Sequence, residues 1–155
     1  MFYEYEKDCN SKVIGMLESV PEASRGAEPF KKAMGKATHV IAARHMWLFR
    51  LGLSSDKPGD WFPEMSLEQL RSYTADIEKR WTAYLSSLTE DAIVGPVEWV
   101  GYDGKRRRWT LLDLLTQIFG HAWYHRGQVA MLVKQAGGTP VDCDYIFWNK
   151  PTVLE

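Results

Sequence analysis

Residues 110–135 read TLLDLLTQIFGHAWYHRGQVAMLVKQ, and this stretch predicts a long helix with one core-facing side. Seven-residue steps connect Leu111, Ile118, His125 and Leu132, and a neighbouring line carries Leu114, His121, Gln128 and Gln135. Such lines form the side that a helix presents to its neighbours in a bundle. Thr110 can cap the helix at its start. The pattern therefore turns His121 and His125 towards the interior.

These two histidines are candidates for a metal site. Four residues advance an α-helix by roughly one turn, so His121 and His125 could bind one divalent ion together. An HxxxH pair also occurs as ordinary surface or hydrogen-bonded core histidines. His39 adds a third imidazole, because it belongs to a series at spacings of four and three that forms the core-facing side of an earlier helical segment. The series is Gly35, His39, Ala42, Met46 and Phe49. The sequence thus directs three imidazoles towards one interior.

Three further helices are predicted before this one. They cover residues 3–19, closed by Pro21, residues 28 or 29 to about 51, ended by Gly52, and residues 66 to about 88. Ser66 and Gln69 resemble a capping box at the start of the third. Residues 52–65 are rich in Ser, Asp, Pro and Gly and predict a crossover loop.

A short β-hairpin is predicted between the third and the last long helix. Asp103-Gly104 is a favoured turn pair, and residues 96–100 and 106–109 flank it. The aromatic segment 145–148 is expected to pack against the helices or a partner subunit. The predicted fold class is all-α, a four-helix bundle with a short β-hairpin before the last long helix.

Composition favours a soluble single domain over residues 1–155. Hydrophobic residues make up 45% of the chain and charged residues 25%, and no apolar run approaches the roughly 20 residues that cross a bilayer. The first residues lack a secretory signal, so we expect a cytoplasmic protein without membrane association. The net charge of −1 argues against nucleic-acid binding, and the basic residues 105–108 are interpreted as a solvated hairpin. Cys9 and Cys143 are expected to be free thiols.

Three neutral imidazoles with an open coordination position are typical of catalytic zinc or another first-row metal. The bound ion would keep its double positive charge and favour hydroxide, carboxylate or thiolate as a further ligand. A zincin helix is excluded because Ala122 stands where its glutamate would follow the first histidine. Di-iron bundles are excluded because Lys36, Ile118 and Ala122 occupy the positions where Glu-x-x-His pairs need glutamate.

The chain resembles the DinB/YfiT-like metalloenzyme family over most of its length. The resemblance rests on Tyr5 and Asn10, on His39 with Trp47 eight residues later, on Asp103-Gly104, and above all on His121-Ala122-Trp123-Tyr124-His125-Arg126-Gly127-Gln128. It implies a four-helix bundle with one divalent metal held by three histidines, which match His39, His121 and His125. Members with known activity include bacillithiol S-transferases and a mycothiol-dependent maleylpyruvate isomerase.

The resemblance also guides the expected pocket. Tyr5, Asn10 and Gln128 are candidates for its lining, with interhelical hydrogen bonds as the alternative for each. Many relatives carry a histidine where this chain has Gln117, which could hold a water or a substrate group. Four other side chains are expected to serve the fold, with His45 pointing away from the site, Arg126 in a salt bridge or helix-terminal contact, and Trp47 and Trp123 in the core.

The leading hypothesis is a metal-dependent thiol S-transferase that acts on electrophilic small molecules. Its cofactors would be one divalent ion, zinc or nickel first and iron, cobalt or copper as alternatives, and a low-molecular-weight thiol. A metal-dependent hydrolase and a non-catalytic metal-binding or ligand-binding protein remain open. Homodimerisation through exposed aromatic residues is also expected.

Overall fold

The computed structural model describes residues 2–152, so Met1 and residues 153–155 of the predicted domain lie outside the described residues. Within this range the chain is mostly helical, with a single two-stranded antiparallel hairpin before the longest helix. The elements are α1 (Phe2–Glu18), α2 (Glu28–Arg50), α3 (Leu67–Ser86), α4 (Glu90–Val94), β1 (Pro96–Val100), β2 (Arg106–Thr110), α5 (Leu111–Gln135) and α6 (Tyr145–Trp148).

Capping interactions fix the ends of the long helices. The Ser66 hydroxyl accepts a hydrogen bond from the Gln69 backbone N–H, and the Gln69 side-chain oxygen accepts one from the Ser66 backbone N–H. These two bonds confirm the predicted capping box of α3. Thr110 caps α5 in the same way with Asp113. The short helix α4 was not predicted, because five residues carry too little periodic pattern to distinguish them from a loop.

α2 and α5 pack against each other, and α1 and α3 complete the helical contacts around them. Side chains of all four helices contribute to a shared hydrophobic core whose fully buried members include Leu17, Leu48, Ile77, Trp81 and Leu114. Burying one such aliphatic side chain contributes about 1.5–3 kcal/mol. This packing holds the facing sides of α2 and α5 in fixed register, and all three candidate metal ligands lie on these two helices.

The hairpin confirms the predicted turn and precedes α5 directly. Gly104 adopts a positive φ of 73°, a backbone conformation that suits glycine. Residues 105–108 are exposed, and their arginines pair with carboxylates, Arg106 and Arg108 with Glu98 and Arg107 with Asp103. No helix among residues 2–152 combines the length and apolar character needed to span a lipid bilayer.

Three expectations about buried positions were wrong. Trp123 is 48% exposed, because its indole lies at the rim of the core and donates a hydrogen bond to Glu6 rather than packing inside. Gln135 is exposed, because it is the last residue of α5. Phe49 is 37% exposed, because it lies at the end of α2. Ala42 and Met46 are buried as predicted, so the side of α2 that carries His39 does face the core.

Candidate metal centre

The three predicted histidines meet between α2 and α5. His39 comes from α2, and His121 and His125 come from successive turns of α5. Their ligand nitrogens all lie within 4.8 Å of one another, and their ring centroids are 4.5–4.9 Å apart. His125 is buried and the other two are half-buried. The arrangement could hold one divalent cation.

Hydrogen bonds orient two of the imidazoles. His39 Nδ1 lies 2.8 Å from the backbone carbonyl of Trp61, and His125 Nδ1 lies 2.8 Å from the side-chain oxygen of Gln128. Because both oxygens can only accept, the Nδ1 atoms carry the protons and donate. The neutral rings therefore present the lone pairs of their Nε2 atoms. Metal-ligating histidines in proteins are usually held in this way.

His39 Nε2 and His121 Nε2 are 3.0 Å apart. Since His39 Nε2 has no proton, the contact is a hydrogen bond donated by His121 Nε2 when no cation is bound. Two nitrogens that bind the same tetrahedral zinc at about 2.0–2.1 Å are roughly 3.3 Å apart. A cation could replace the shared proton with little movement of either ring.

The surroundings of His121 and His125 favour the neutral form of these two imidazoles. Burial, together with smaller effects of the neighbouring His125 and His39, lowers the pKa of His121 to about 4. Burial also lowers the pKa of His125, although the hydrogen bond to Gln128 opposes the shift. Neutral imidazole is the form that binds metal ions, so the environment favours the binding form.

The crossover loop between α2 and α3 covers one side of the centre. α2 ends where Gly52 turns with a φ of 72° and Leu53 donates a backbone hydrogen bond to Leu48, as in a Schellman motif. The loop then returns over the helix, and the ring of Phe62 stacks on His39 with a centroid separation of 4.4 Å. The loop thus supplies both a carbonyl and an aromatic ring to His39.

A cavity of about 200 Å³ opens beside His121. Its walls are Ala43, Arg44, Trp47, Arg50, Trp61, Gln117, Ile118 and His121. Four of these residues are apolar, Gln117 and His121 are polar, and the charged groups among them are two arginines. The cavity can therefore admit a small molecule next to the histidine cluster.

The model of the DinB family matches residues 1–153. The chain belongs to the DinB family. The predicted resemblance is thus confirmed. No curated protein and no solved structure gives a significant match.

Of the four other candidate pocket residues of this DinB-family chain, two lie at the centre and two lie away from it. Gln117 lines the cavity beside His121, and Gln128 holds His125. Tyr5 donates to the backbone carbonyl of Cys143 at 2.6 Å, and Asn10 donates to Glu78 at 2.8 Å. Neither Tyr5 nor Asn10 lines that cavity. The hydrogen bonds of Tyr5 and Asn10 tie α1 to the C-terminal segment and to α3.

The remaining histidine and the cysteines lie apart from the cluster. His45 is buried and contacts the Tyr73 hydroxyl at 2.9 Å and the Asp56 carboxylate at 3.1 Å, so it points away as predicted. Cys9 and Cys143 are free thiols. Trp47 is buried as expected, although its ring also forms part of the cavity wall.

A buried ionic cluster lies next to the centre, and the sequence predicted only part of it. Glu6 is completely buried, and its carboxylate accepts hydrogen bonds from Arg44, Arg126 and Trp123. The salt bridge of Arg126 agrees with one of its predicted roles. Arg44 was missed, although a charged residue within the largely apolar stretch 40–49 of α2 is a signal for a buried polar role.

Proposed function

We propose that this DinB-family protein is a metal-dependent thiol S-transferase built on a four-helix bundle. His39, His121 and His125 would hold one divalent cation, zinc or nickel first. The clustering of the ligand nitrogens of three imidazoles within 4.8 Å of one another is the observation that carries the proposal. Three protein ligands leave a coordination position for another group, as in catalytic rather than structural zinc sites.

The orienting contacts support a centre that binds its ion firmly. Trp61 fixes the ring of His39 from the crossover loop, and Gln128 fixes that of His125 from the next turn of α5. Partners of this kind typically change metal affinity by roughly 10–100-fold. The centre therefore depends on residues that bind no metal themselves.

The proposed reaction joins a low-molecular-weight thiol to an electrophilic small molecule. When bound, a divalent cation lowers the pKa of a coordinated thiol and stabilises its thiolate at neutral pH. In the transfer, a sulfur–carbon bond forms, the leaving group departs with its electron pair, and the thiol proton passes to solvent. The cavity beside His121 would hold the electrophile, with Trp47, Trp61 and Ile118 limiting the access of water.

Thiol transfer is favoured over hydrolysis by the cavity wall. Water as nucleophile commonly needs a general base, and no carboxylate is among the residues that line the cavity beside His121. A thiol of ordinary pKa near 8.5 loses its proton more readily than water does. Gln117, a neutral amide, can orient a bound molecule but cannot accept its proton.

The test is conjugation of thiols to monochlorobimane, whose products fluoresce. Protein loaded with zinc or nickel is assayed with cysteine, glutathione, bacillithiol and mycothiol in turn. We expect at least one thiol to be conjugated faster than in the buffer reaction, with chloride released. The same protein treated with a chelator should lose the acceleration.

Two variants define the result. His125→Ala should abolish the acceleration, whereas His45→Gln should retain it, because His45 lies outside the cluster. If the protein binds its metal but accelerates the conjugation of none of these thiols, the result contradicts the proposed transferase activity. A non-catalytic metal-binding protein would then be the better account, especially if chelation unfolds the chain.

A further inference from the structure

Arg50, the last residue of α2, carries a positive charge that no carboxylate balances. Among residues 2–152 its guanidinium contacts aromatic rings and forms no ion pair and no hydrogen bond. The residue is half-buried, and none of its side-chain nitrogens is fully enclosed, so their N–H groups remain accessible. Burial lowers the pKa of Arg50, and the groups that affect this pKa further are Tyr102 and Arg107, with no carboxylate among them. A partly desolvated charge in this position favours an anionic partner.

Two aromatic rings hold the guanidinium of Arg50 in place. Its central carbon lies 4.7 Å from the ring centroid of Trp47 and 5.4 Å from that of Tyr102. Such cation–π contacts attract the charge to the rings and use none of its N–H groups as hydrogen-bond donors. The two rings therefore orient the guanidinium and leave its donors available to another molecule.

Arg50 lies on the same side of α2 as the metal ligand His39. His39, Ala43, Trp47 and Arg50 follow one another at spacings of four, four and three residues, which places them on one helical face. The last three of them line the cavity beside His121. The cavity therefore follows α2 from the histidine cluster towards Arg50, whose backbone lies roughly 16 Å from that of His39 at 1.5 Å per residue. The side chain of Arg50 reaches back over Trp47 and brings its charge closer to the cluster.

We propose that Arg50 binds a carboxylate group of a molecule that reacts at the centre and so positions that molecule in the cavity. The inference rests on the proposed function and adds a substrate-binding residue to it. The planar donor fork of arginine matches the two oxygens of a carboxylate. A carboxylate also balances the single charge of Arg50, whereas the second charge of a phosphate dianion would have no partner there. The thiol or the electrophile could carry this group, and the test separates the two.

The rest of the cavity restricts the body of the molecule. Its volume of about 200 Å³ is below the roughly 300–1,000 Å³ typical of pockets for drug-sized ligands. Ala43, Trp47, Trp61 and Ile118 supply apolar wall between Arg50 and His121. The molecule would therefore have a compact apolar body, with its carboxylate at Arg50 and its reacting atom towards the histidine cluster.

The test measures binding to metal-free protein, so that it does not depend on turnover. Mercaptopropionate is titrated against mercaptopropionamide to represent the thiol, and benzoate against benzamide to represent the electrophile. Inorganic phosphate is titrated separately. We expect at least one acid to bind roughly tenfold more tightly than its amide, because hydrogen bonds to charged groups are stronger than neutral ones. The pair that shows the difference identifies the partner that carries the carboxylate, and the Nε–H resonance of Arg50 should shift in the same titration.

Three variants isolate the contribution of Arg50. Arg50→Gln should weaken binding of the acid by roughly tenfold and leave binding of its amide unchanged. Arg50→Lys, which keeps the charge but removes the donor fork, should give an intermediate affinity. Arg71→Gln is the matched control and should change nothing, since Arg71 pairs with Glu18 on an exposed surface. If Arg50→Gln does not fold, Arg50→Lys and the Arg50 resonance of the unmodified protein decide the question.

Three results would overturn the inference. They are equal affinity for each acid and its amide, phosphate bound more tightly than either acid, and acid binding that is unchanged in the Arg50 variants. Arg50 would then serve only to cover the rings of Trp47 and Tyr102. His125→Ala distinguishes this inference from the proposed function, because it should abolish metal binding and leave acid binding to metal-free protein unchanged. Acid binding without any thiol conjugation by the metal-loaded protein would contradict the transferase alone.

Discussion

The side-chain oxygen of Gln128 lies 2.8 Å from Nδ1 of His125, one turn earlier on the same helix. A spacing of three residues brings two side chains of a helix into contact. The amide accepts the Nδ1 proton, which leaves Nε2 of His125 free to face His39 and His121. Gln128 therefore selects the ring form and the orientation that a metal ion requires.

Gln128→Leu should weaken metal binding. The substitution keeps the size of the side chain but removes the acceptor, so the ring of His125 is free to change tautomer and rotate. We expect zinc affinity to fall by roughly 10–100-fold in a competitive chelator titration. Gln135→Leu is the matched control, because Gln135 is exposed at the end of α5. Equal affinity in the two variants would show that Gln128 has no orienting role.

The purified protein should bind one divalent ion per chain. His39→Ala, His121→Ala and His125→Ala should each lower zinc affinity sharply, because each removes one of three ligands. His45→Gln should retain the stoichiometry, since His45 bonds to Tyr73 and Asp56 away from the cluster. Elemental analysis after dialysis measures the bound metal. Full loading of His125→Ala would disprove the three-histidine centre.

Glu6 should be essential for stability. Glu6→Gln leaves the guanidinium groups of Arg44 and Arg126 without their counter-charge inside the protein. We expect the free energy of unfolding in urea to fall by about 3–5 kcal/mol. Glu18→Gln also removes an arginine pair, that with Arg71, but on an exposed surface, and should cost at most about 1 kcal/mol. Similar losses in both variants would contradict the role assigned to burial.

Glu78 should make stability depend on pH. Burial raises the pKa of Glu78, although the hydrogen bond from Asn10 opposes the shift. The folded state then holds this proton more tightly than the unfolded chain, so the contribution of Glu78 is largest below the usual carboxyl pKa and is lost as pH rises through the raised value.

The Glu78→Gln variant has no ionisable group at position 78. Its free energy of unfolding should therefore rise relative to that of the unmodified protein as pH increases from about 4 to about 7. Urea unfolding at both pH values measures the difference. Glu64→Gln, which alters an exposed loop carboxylate, should keep a constant difference. A constant difference for Glu78→Gln as well would mean that its folded and unfolded pKa values are equal.

The sequence alone determined those features that depend on nearby residues. Helical periodicity placed α5 over residues 111–135 and directed His121 and His125 to one side, and local capping residues fixed the starts of α3 and α5. The turn at Asp103-Gly104 has the same origin, since Gly104 adopts its positive φ without steric cost. These interactions join residues one to four positions apart, so the local sequence pattern is enough to predict them.

Only the tertiary structure decided what surrounds the histidines. The carbonyl that orients His39 belongs to Trp61, 22 residues further along a loop without periodic pattern. Glu6 meets Arg126 across 120 residues, and Tyr102 of the hairpin meets Arg50 only when the hairpin packs beside α2. Such contacts depend on how distant segments pack, because no local spacing specifies which side chain a buried charge will meet.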